Sequence, residues 1–175
     1  MLQLSGNLSN RPILSVRSGA QIATAIDPII NPNNLKVVGW YCQDRFSKEP
    51  LILRTQEIRD MIPQGIIVDD LDALSEPEEL IRLKEIIDLA FVLISKPVIT
   101  VNKERLGKVS DYATDNLSLY VQKLYISQPI YKSLSSGSLT IDRSQIVEIT
   151  NRKIVVYDPV QKVRHDVPYS IPAAS

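Results

Sequence analysis

The sequence has little of the residues from which covalent and metal-bound frameworks are built. Its 175 residues include one cysteine, Cys42, and one histidine, His165. A single cysteine excludes an internal disulfide framework and leaves no cysteine-rich metal cluster. This usage is typical of proteins in a reducing compartment, so we expect a cytoplasmic location.

The sequence also lacks a net charge and any long apolar run. Lys and Arg together number 20, as do Asp and Glu, so no overall field attracts nucleic acid or an anionic membrane. No run of about 18 apolar residues occurs, and residues 1–10 contain no charged run followed by an apolar stretch. We therefore expect neither a transmembrane helix nor an export signal.

An internal repeat is present. Residues 10–16 match residues 95–101 in the order polar residue, base, proline and β-branched run. The match continues with residues 35–42 against 119–126, and with residues 66–68 against 154–156. The order of apolar blocks and turns is kept with only two small gaps, which predicts two copies of one module.

Each copy has the pattern of five to six short strands. Runs rich in Val, Ile, Leu, Tyr and Thr alternate with clusters of Pro, Asn, Asp, Ser and Gly. No helical pattern occurs within a copy, and the connections are too short for parallel crossovers. The sequence therefore predicts a small antiparallel barrel or strongly bent sheet in each copy, because closure removes exposed edges.

The hydrophobic period changes to 3.6 residues between the copies, which indicates one amphipathic helix. Ser75 is placed to cap this helix, Pro77 suits its first turn, and Glu78 has the spacing of a capping box. Ile81 and Ile86 widen the apolar face, so we expect the helix to contact both modules. That face is otherwise formed by Leu80, Leu83, Ile87, Ala90 and Phe91.

These patterns predict a mainly β protein of two tandem small antiparallel barrels joined by one amphipathic α-helix. We expect a first module over residues 1–74, the linking helix over 75–94, a second module over 95–160 and a C-terminal tail over 161–175.

Three motifs in the second copy resemble those of the PRC-barrel domain: Lys96-Pro-Val, Leu106-Gly-Lys-Val-Ser-Asp111 and Ile141-Asp-Arg-Ser-Gln-Ile-Val-Glu148. The first copy has Ile22-Ala-Thr in place of Leu-Gly-Lys, and its assignment depends mainly on the repeat. The family includes the cytoplasmic part of the photosynthetic reaction-centre H subunit and the C-terminal half of a small-subunit ribosome maturation factor. The resemblance implies an adaptor fold without a shared catalytic centre, so it supplies no active-site residues.

Two sets of acidic residues could suggest a calcium site or a catalytic pair of carboxylates. Asp69, Asp70 and Asp72 are clustered, but they lack the glycine and distal glutamate of a calcium loop. We interpret them as a loop that leads to a helix. Asp27 and Asp111 match across the copies, and turn capping explains this better than a catalytic pair, which would have to converge from separate modules.

The remaining reactive residues are isolated. Cys42 matches Ile126, which predicts a buried small hydrophobe. His165 lies in the tail beside Asp166, where no nucleophile is identified, so a solvated residue is expected. The sequence therefore predicts no catalytic residue, no metal and no cofactor.

The long connection in each copy carries apolar residues among polar ones. These residues are Phe46 in the first copy and Ile130, Tyr131 and Leu134 in the second. Exposed apolar loop residues often mark a partner site. The alternative is that these side chains fold back and plug the mouth of the barrel.

The second copy is mildly basic, with 11 basic and 7 acidic residues over 96–175. The basic set includes Lys103, Arg105, Lys108, Lys123 and Lys132. Such groups could contact RNA if they share one face, and Lys123 and Lys132 are the candidates we single out. A solvated surface is the alternative reading.

Three functions remain open from the sequence. The first is a non-catalytic adaptor that binds a protein partner, of a ribosomal or membrane-associated kind, through the loops or a groove between modules. The second is an RNA-binding or ribosome-assembly factor. The third is an enzyme with a pocket between the modules, which would need Asp111, Asp142 and Arg143 around a real cavity.

Overall fold

The structure, a computed structural model, describes residues 1–128 and 139–159. Within these ranges the protein is mainly β, with two seven-stranded sheets and one α-helix, α1 (Ile81–Asp88). The strands are β1 (Leu2–Leu4), β2 (Arg11–Ser15), β3 (Gln21–Asn31), β4 (Lys36–Asp44), β5 (Leu51–Arg54), β6 (Ile58–Ile62), β7 (Gly65–Val68), β8 (Leu74–Ser75), β9 (Pro97–Thr100), β10 (Arg105–Asp115), β11 (Val121–Ser127), β12 (Leu139–Asp142), β13 (Ile146–Ile149) and β14 (Ile154–Val156).

The two sheets have the same internal order. The first runs β6-β7-β2-β3-β4-β5-β8, and the second runs β13-β14-β9-β10-β11-β12, with β1 added beside β10. The 3₁₀ turns Thr55–Glu57 and Arg143–Gln145 occupy the same place in each copy, after β5 and after β12. Strands β2 to β7 and β9 to β14 are therefore two copies of one six-stranded unit, in the alignment that the sequence repeat predicts.

Both sheets are mixed, so the prediction of purely antiparallel modules is wrong. Ile13 of β2 pairs in parallel with Ile66 of β7, and Val98 of β9 pairs in parallel with Ile154 of β14. The argument from short connections applies only to consecutive strands. Here four strands separate the parallel partners, and they supply the long return that parallel pairing needs.

Closure of the two modules into a pair of barrels is not confirmed. One sheet curls into a half-barrel. A single cluster of buried side chains instead runs through both copies, from Leu8, Trp40 and Leu53 in the first to Leu124 and Ile141 in the second. The hydrophobic core is thus shared between the repeats.

The linking helix is shorter than its sequence pattern predicts. Leu74 and Ser75 form strand β8 against β5, and a 3₁₀ turn over Pro77–Glu79 precedes α1. Leu80 is the residue before the helix, and it makes no side-chain capping bond. The predicted Ser75 cap is therefore wrong, because the backbone of Ser75 is held in a sheet by Ile52.

The apolar face of α1 packs on the first repeat alone. Leu80 and Leu83 are buried against Ile29 and Ile52. Ile81 is 81% exposed, so it does not widen the packed face as expected. Outside the linking segment, the side chains of this cluster all belong to the first copy. Phe91, which follows α1, packs against the core that runs through both copies.

The segments that precede the two repeats are exchanged. Strand β1 precedes the first repeat but pairs with the second, with Leu4 opposite Ala113 of β10. Helix α1 precedes the second repeat but packs on the first, against Ile29 of β3, the residue that matches Ala113. Each repeat therefore contributes a segment that covers the other.

The ends of two hairpins join the repeats. The amide of Val37 donates to the carbonyl of Leu119 at 2.9 Å, and the amide of Val121 donates to the carbonyl of Leu35 at 2.9 Å. Leu35 and Leu119 match in the repeat, and both have a positive φ, of 52° and 60°. The two hydrogen bonds are thus related by an approximate two-fold axis between the repeats.

We expect Gly107→Ala to destabilise the protein by roughly 3 kcal/mol, since both strain and steric overlap oppose a side chain there. Gly107 has a φ of +145°, and a Cβ atom would meet the carbonyl oxygen of Ser127. Urea denaturation would measure the loss. Gly6→Ala is the matched control, because nothing lies within 4 Å of its Cβ position. Equal stability of the two variants would contradict the prediction.

Candidate functional site

A groove lies where α1, the first sheet and a hairpin of the second repeat meet. One part, of about 560 Å³, is walled by α1 and by β4 and β5, and a second part, of about 470 Å³, reaches the hairpin at Leu117. Lys36, Thr55 and Gln56 line both parts, which makes them continuous. We call this surface the inter-repeat groove.

Two large apolar side chains are exposed on this groove. Ile81 of α1 is 81% exposed in one part, and Leu117 is 88% exposed in the other. Lys36 and Arg82 add positive charge, and Glu79 adds one negative charge. The part beside α1 is therefore more apolar than polar, whereas the part at the hairpin is lined mainly by polar residues, with Leu117 and Leu119 as its apolar ones.

The hairpin that presents Leu117 is held by Asp115. Its carboxylate accepts bonds from the backbone amide and hydroxyl of Ser118, at 2.8 and 2.7 Å, and lies 3.4 Å from the N-terminal amine of Met1. The bonds from Ser118, followed by the amine, lower the pKa of Asp115 to about 2. Asn31 matches Asp115 in the first repeat, and its side chain also accepts a bond within its turn, from the amide of Asn33 two residues on.

Arg143 and Lys36 lie on Tyr120 at the junction of the repeats. The Arg143 guanidinium is 4.8 Å from the ring centroid of Tyr120, and the Lys36 amine is 5.3 Å from it. Arg143 also donates to the carbonyls of Asn34, at 2.6 Å, and Val121, at 3.2 Å. The side chain of Arg143 therefore bonds one residue from each repeat, which is a structural role.

Phe46 projects from the connection between β4 and β5. It is 95% exposed, so the alternative in which it folds back to plug a barrel is contradicted. Arg45 and Lys48 flank it in the chain, and the Asp44 carboxylate accepts a bond from its backbone amide at 3.2 Å. The matching candidates of the second copy, Ile130, Tyr131, Lys132 and Leu134, lie outside the described residues.

The basic residues of the second copy do not form one patch where the structure describes them. Lys103 lies in the turn between β9 and β10, and Lys108 pairs with Ser127 near one end of β10. Lys123 pairs with Ala113 toward the other end, and its amine lies 2.9 Å from the Asp142 carboxylate. The hydrogen bond and charge of Asp142 raise the pKa of Lys123.

Asp27 and Asp111 lie within long strands, at equivalent β-bulges, so the expected turn-capping role is wrong. The bulge lets β3 continue past Asp27 to Asn31. Asp111 accepts from the hydroxyl of Ser5 at 2.5 Å. Burial, followed by the charges of Asp111 and Asp27, raises the pKa of Tyr112. The two carboxylates thus act on one side chain, a convergence that the sequence did not reveal.

The acidic cluster is ion-paired. Asp70 lies 2.7 Å from Arg17, and Asp69 pairs with Arg59. Asp70 also accepts from the amide of Asp72 at 3.0 Å, which starts a 3₁₀ turn. The turn leads to strand β8 instead of the predicted helix.

Two of the three residues named for an enzyme line one groove. Asp142 and Arg143 line an open surface groove of about 640 Å³, but Asp111 does not line it. Cys42 is buried as predicted, and burial raises its pKa to about 12. Over residues 1–128 and 139–159, no three His, Cys, Asp or Glu side chains come together as metal ligands. His165 lies beyond these ranges.

No protein-family model matches this chain, and no curated protein matches it. Among the helices that the structure describes, none has the length and apolar character needed to cross a membrane.

We expect Asp115→Asn to lower stability at neutral pH and to have little effect near pH 2. A carboxylate with a depressed pKa stabilises the fold above its unfolded pKa, near 3.8, and this contribution is lost as the pH falls toward 2. Asparagine keeps one oxygen that can accept from Ser118, and it removes the charge and the acceptor that faces the Met1 amine. Urea denaturation at pH 6 and pH 2 would measure the difference, with Glu85→Gln on α1 as a charge-matched control. If Asp115→Asn lowers the free energy of unfolding equally at pH 6 and pH 2, the stabilising role of the Asp115 charge is contradicted.

Proposed function

We propose that this protein is a non-catalytic adaptor that binds a segment of a protein partner in the inter-repeat groove. The observation that carries the proposal is the exposure of Ile81 and Leu117 on one continuous groove. Exposed apolar side chains that line a concave surface gain free energy when a partner covers them. Its larger part is walled by α1 and the first sheet, and the second repeat adds the hairpin that presents Leu117, so the full length of the groove exists only when both repeats are assembled.

The resemblance to the PRC-barrel domain supports this proposal, because that family is similar to adaptor folds and has no shared catalytic centre. We propose that both copies belong to it. By the same resemblance, the partner is ribosomal or membrane-associated. The single cysteine favours action in the cytoplasm.

Phe46 offers a second contact, remote from the groove. It follows β4, whereas Lys36 of the groove begins β4, so about 27 Å of strand separate the two surfaces. A partner that spans both would be an elongated one. The two surfaces can therefore be tested independently.

An RNA-binding function has less support. Lys123, one of its candidate residues, is paired with Asp142, and Lys103 and Lys108 lie elsewhere on the second sheet. Recognition of RNA backbone needs several unpaired cations on one face.

Affinity purification of the tagged protein from its native lysate, after nuclease treatment, tests the adaptor proposal. We expect an Ile81→Ser, Leu117→Ser double variant to recover at least roughly tenfold less partner than the unmodified protein. Burial of each apolar side chain in the complex would contribute about 1.5–3 kcal/mol to the binding free energy. Folding should be unaffected, since both side chains are exposed. Val16→Ser is the matched control, as Val16 is 60% exposed and does not line the groove.

Three results would contradict the proposal. A partner kept by the groove variant but lost on Phe46→Ser would move the binding site to the β4–β5 connection. A partner lost on nuclease treatment would support RNA binding. Recovery of no partner by the unmodified protein would count against an adaptor.

A further inference from the structure

The two parts of the inter-repeat groove meet at a polar segment. Lys36, Thr55 and Gln56 line both parts, so they lie where one part continues into the other. The exposed apolar side chains lie to either side of this segment, with Ile81 in the part beside α1 and Leu117 in the part at the hairpin. Along the groove, one apolar contact, a polar segment with a cation and a second apolar contact therefore follow one another.

The charge of Lys36 is held in place at this polar segment. Lys36 lies opposite Tyr120 in an antiparallel bridge, and its amine is 5.3 Å from the centroid of the Tyr120 ring. Contact with an aromatic ring attracts a cation without neutralising it. The nearby carboxylate of Asp115 is engaged elsewhere, because it accepts two bonds from Ser118 and faces the Met1 amine. Lys36 therefore keeps its positive charge for a partner.

The groove lining has more cations than carboxylates. None of the ion pairs that form among the described residues involves Lys36 or Arg82. Arg54 also lines the groove, but its charge is already paired with Glu57. Over the part of the chain that the structure describes, Glu79 is the one carboxylate in the lining. Two cations therefore face one carboxylate, and a partner with negative charge would be electrostatically complementary.

We propose that the partner segment bound in this groove is acidic, with a carboxylate opposite Lys36 and an apolar side chain on each side of it, against Ile81 and Leu117. This inference rests on the proposed adaptor function and adds the chemistry of the partner. A nucleic acid would also supply negative charge, but phosphates would leave Ile81 and Leu117 without apolar contacts. The pattern of the groove therefore favours an acidic protein segment.

Photo-cross-linking from the groove identifies the bound segment. The probe is the full chain with p-benzoylphenylalanine in place of Ile81 or of Leu117, irradiated in its native lysate, and mass spectrometry then sequences the cross-linked peptides. We expect both positions to give one segment of one protein, with more Asp and Glu than Lys and Arg. The same replacement at Phe46 is the control, and it should not cross-link to that segment, because Phe46 is remote from the groove.

A synthetic peptide with the sequence of the cross-linked segment then measures the effect of the groove charges. We expect Lys36→Gln and Arg82→Gln each to weaken its binding roughly threefold, as for an exposed ion pair, and Glu79→Gln to strengthen binding by a similar factor. Lys84→Gln and Glu78→Gln are the matched controls. Both residues are exposed in the same linking segment and neither lines the groove, so their replacement should leave the affinity unchanged.

An acidic segment whose affinity changes in these directions would support the inference. A neutral or basic segment, or an affinity that the three groove variants leave unchanged, would overturn it. The adaptor proposal would survive that result, because Ile81 and Leu117 would still contact the partner. The absence of a cross-link from both groove positions would overturn the adaptor proposal and this inference together.

Discussion

Two backbone hydrogen bonds between the hairpin ends are the contact on which the arrangement of the repeats depends. They join Val37 to Leu119 and Val121 to Leu35, and each is the symmetry equivalent of the other. Because a backbone pair of this kind is self-complementary, two copies of one unit that meet through it are related by a two-fold axis. The shared core then follows, since this contact holds the inner faces of both sheets together.

The proposed binding surface lies where the two repeats differ from each other. Lys36 and Tyr120 occupy equivalent positions and lie opposite each other, but one is a cation and the other an aromatic ring. Thr55 in the first repeat matches Arg143, which bonds across the junction. The exchanged segments also differ, since one is the strand β1 and the other the helix α1. A bulky helix leaves a walled groove beside it, and this is why the larger part of the proposed binding surface lies on the first repeat.

The sequence predicted the β class, the repeat and its alignment because apolar periodicity and turn residues act locally. The sequence also predicted the burial of Cys42, because the matching residue of the second repeat is Ile126. The antiparallel assumption failed because strand direction depends on which distant strands pair. The helix cap failed because Ser75 is drawn into a sheet by β5. The sequence left open whether Phe46 is exposed or folds back over the barrel mouth. Only the tertiary structure decides this, and Phe46 is exposed.

The sequence by itself therefore determined the repeated strands of this protein and their duplication, through patterns of neighbouring residues. Only the tertiary structure decided the parallel pairs, the exchange of β1 and α1, and the groove that holds Ile81 and Leu117. These features join residues far apart in the chain. Their formation depends on the docking of the two repeats and on buried area, which local periodicity does not encode.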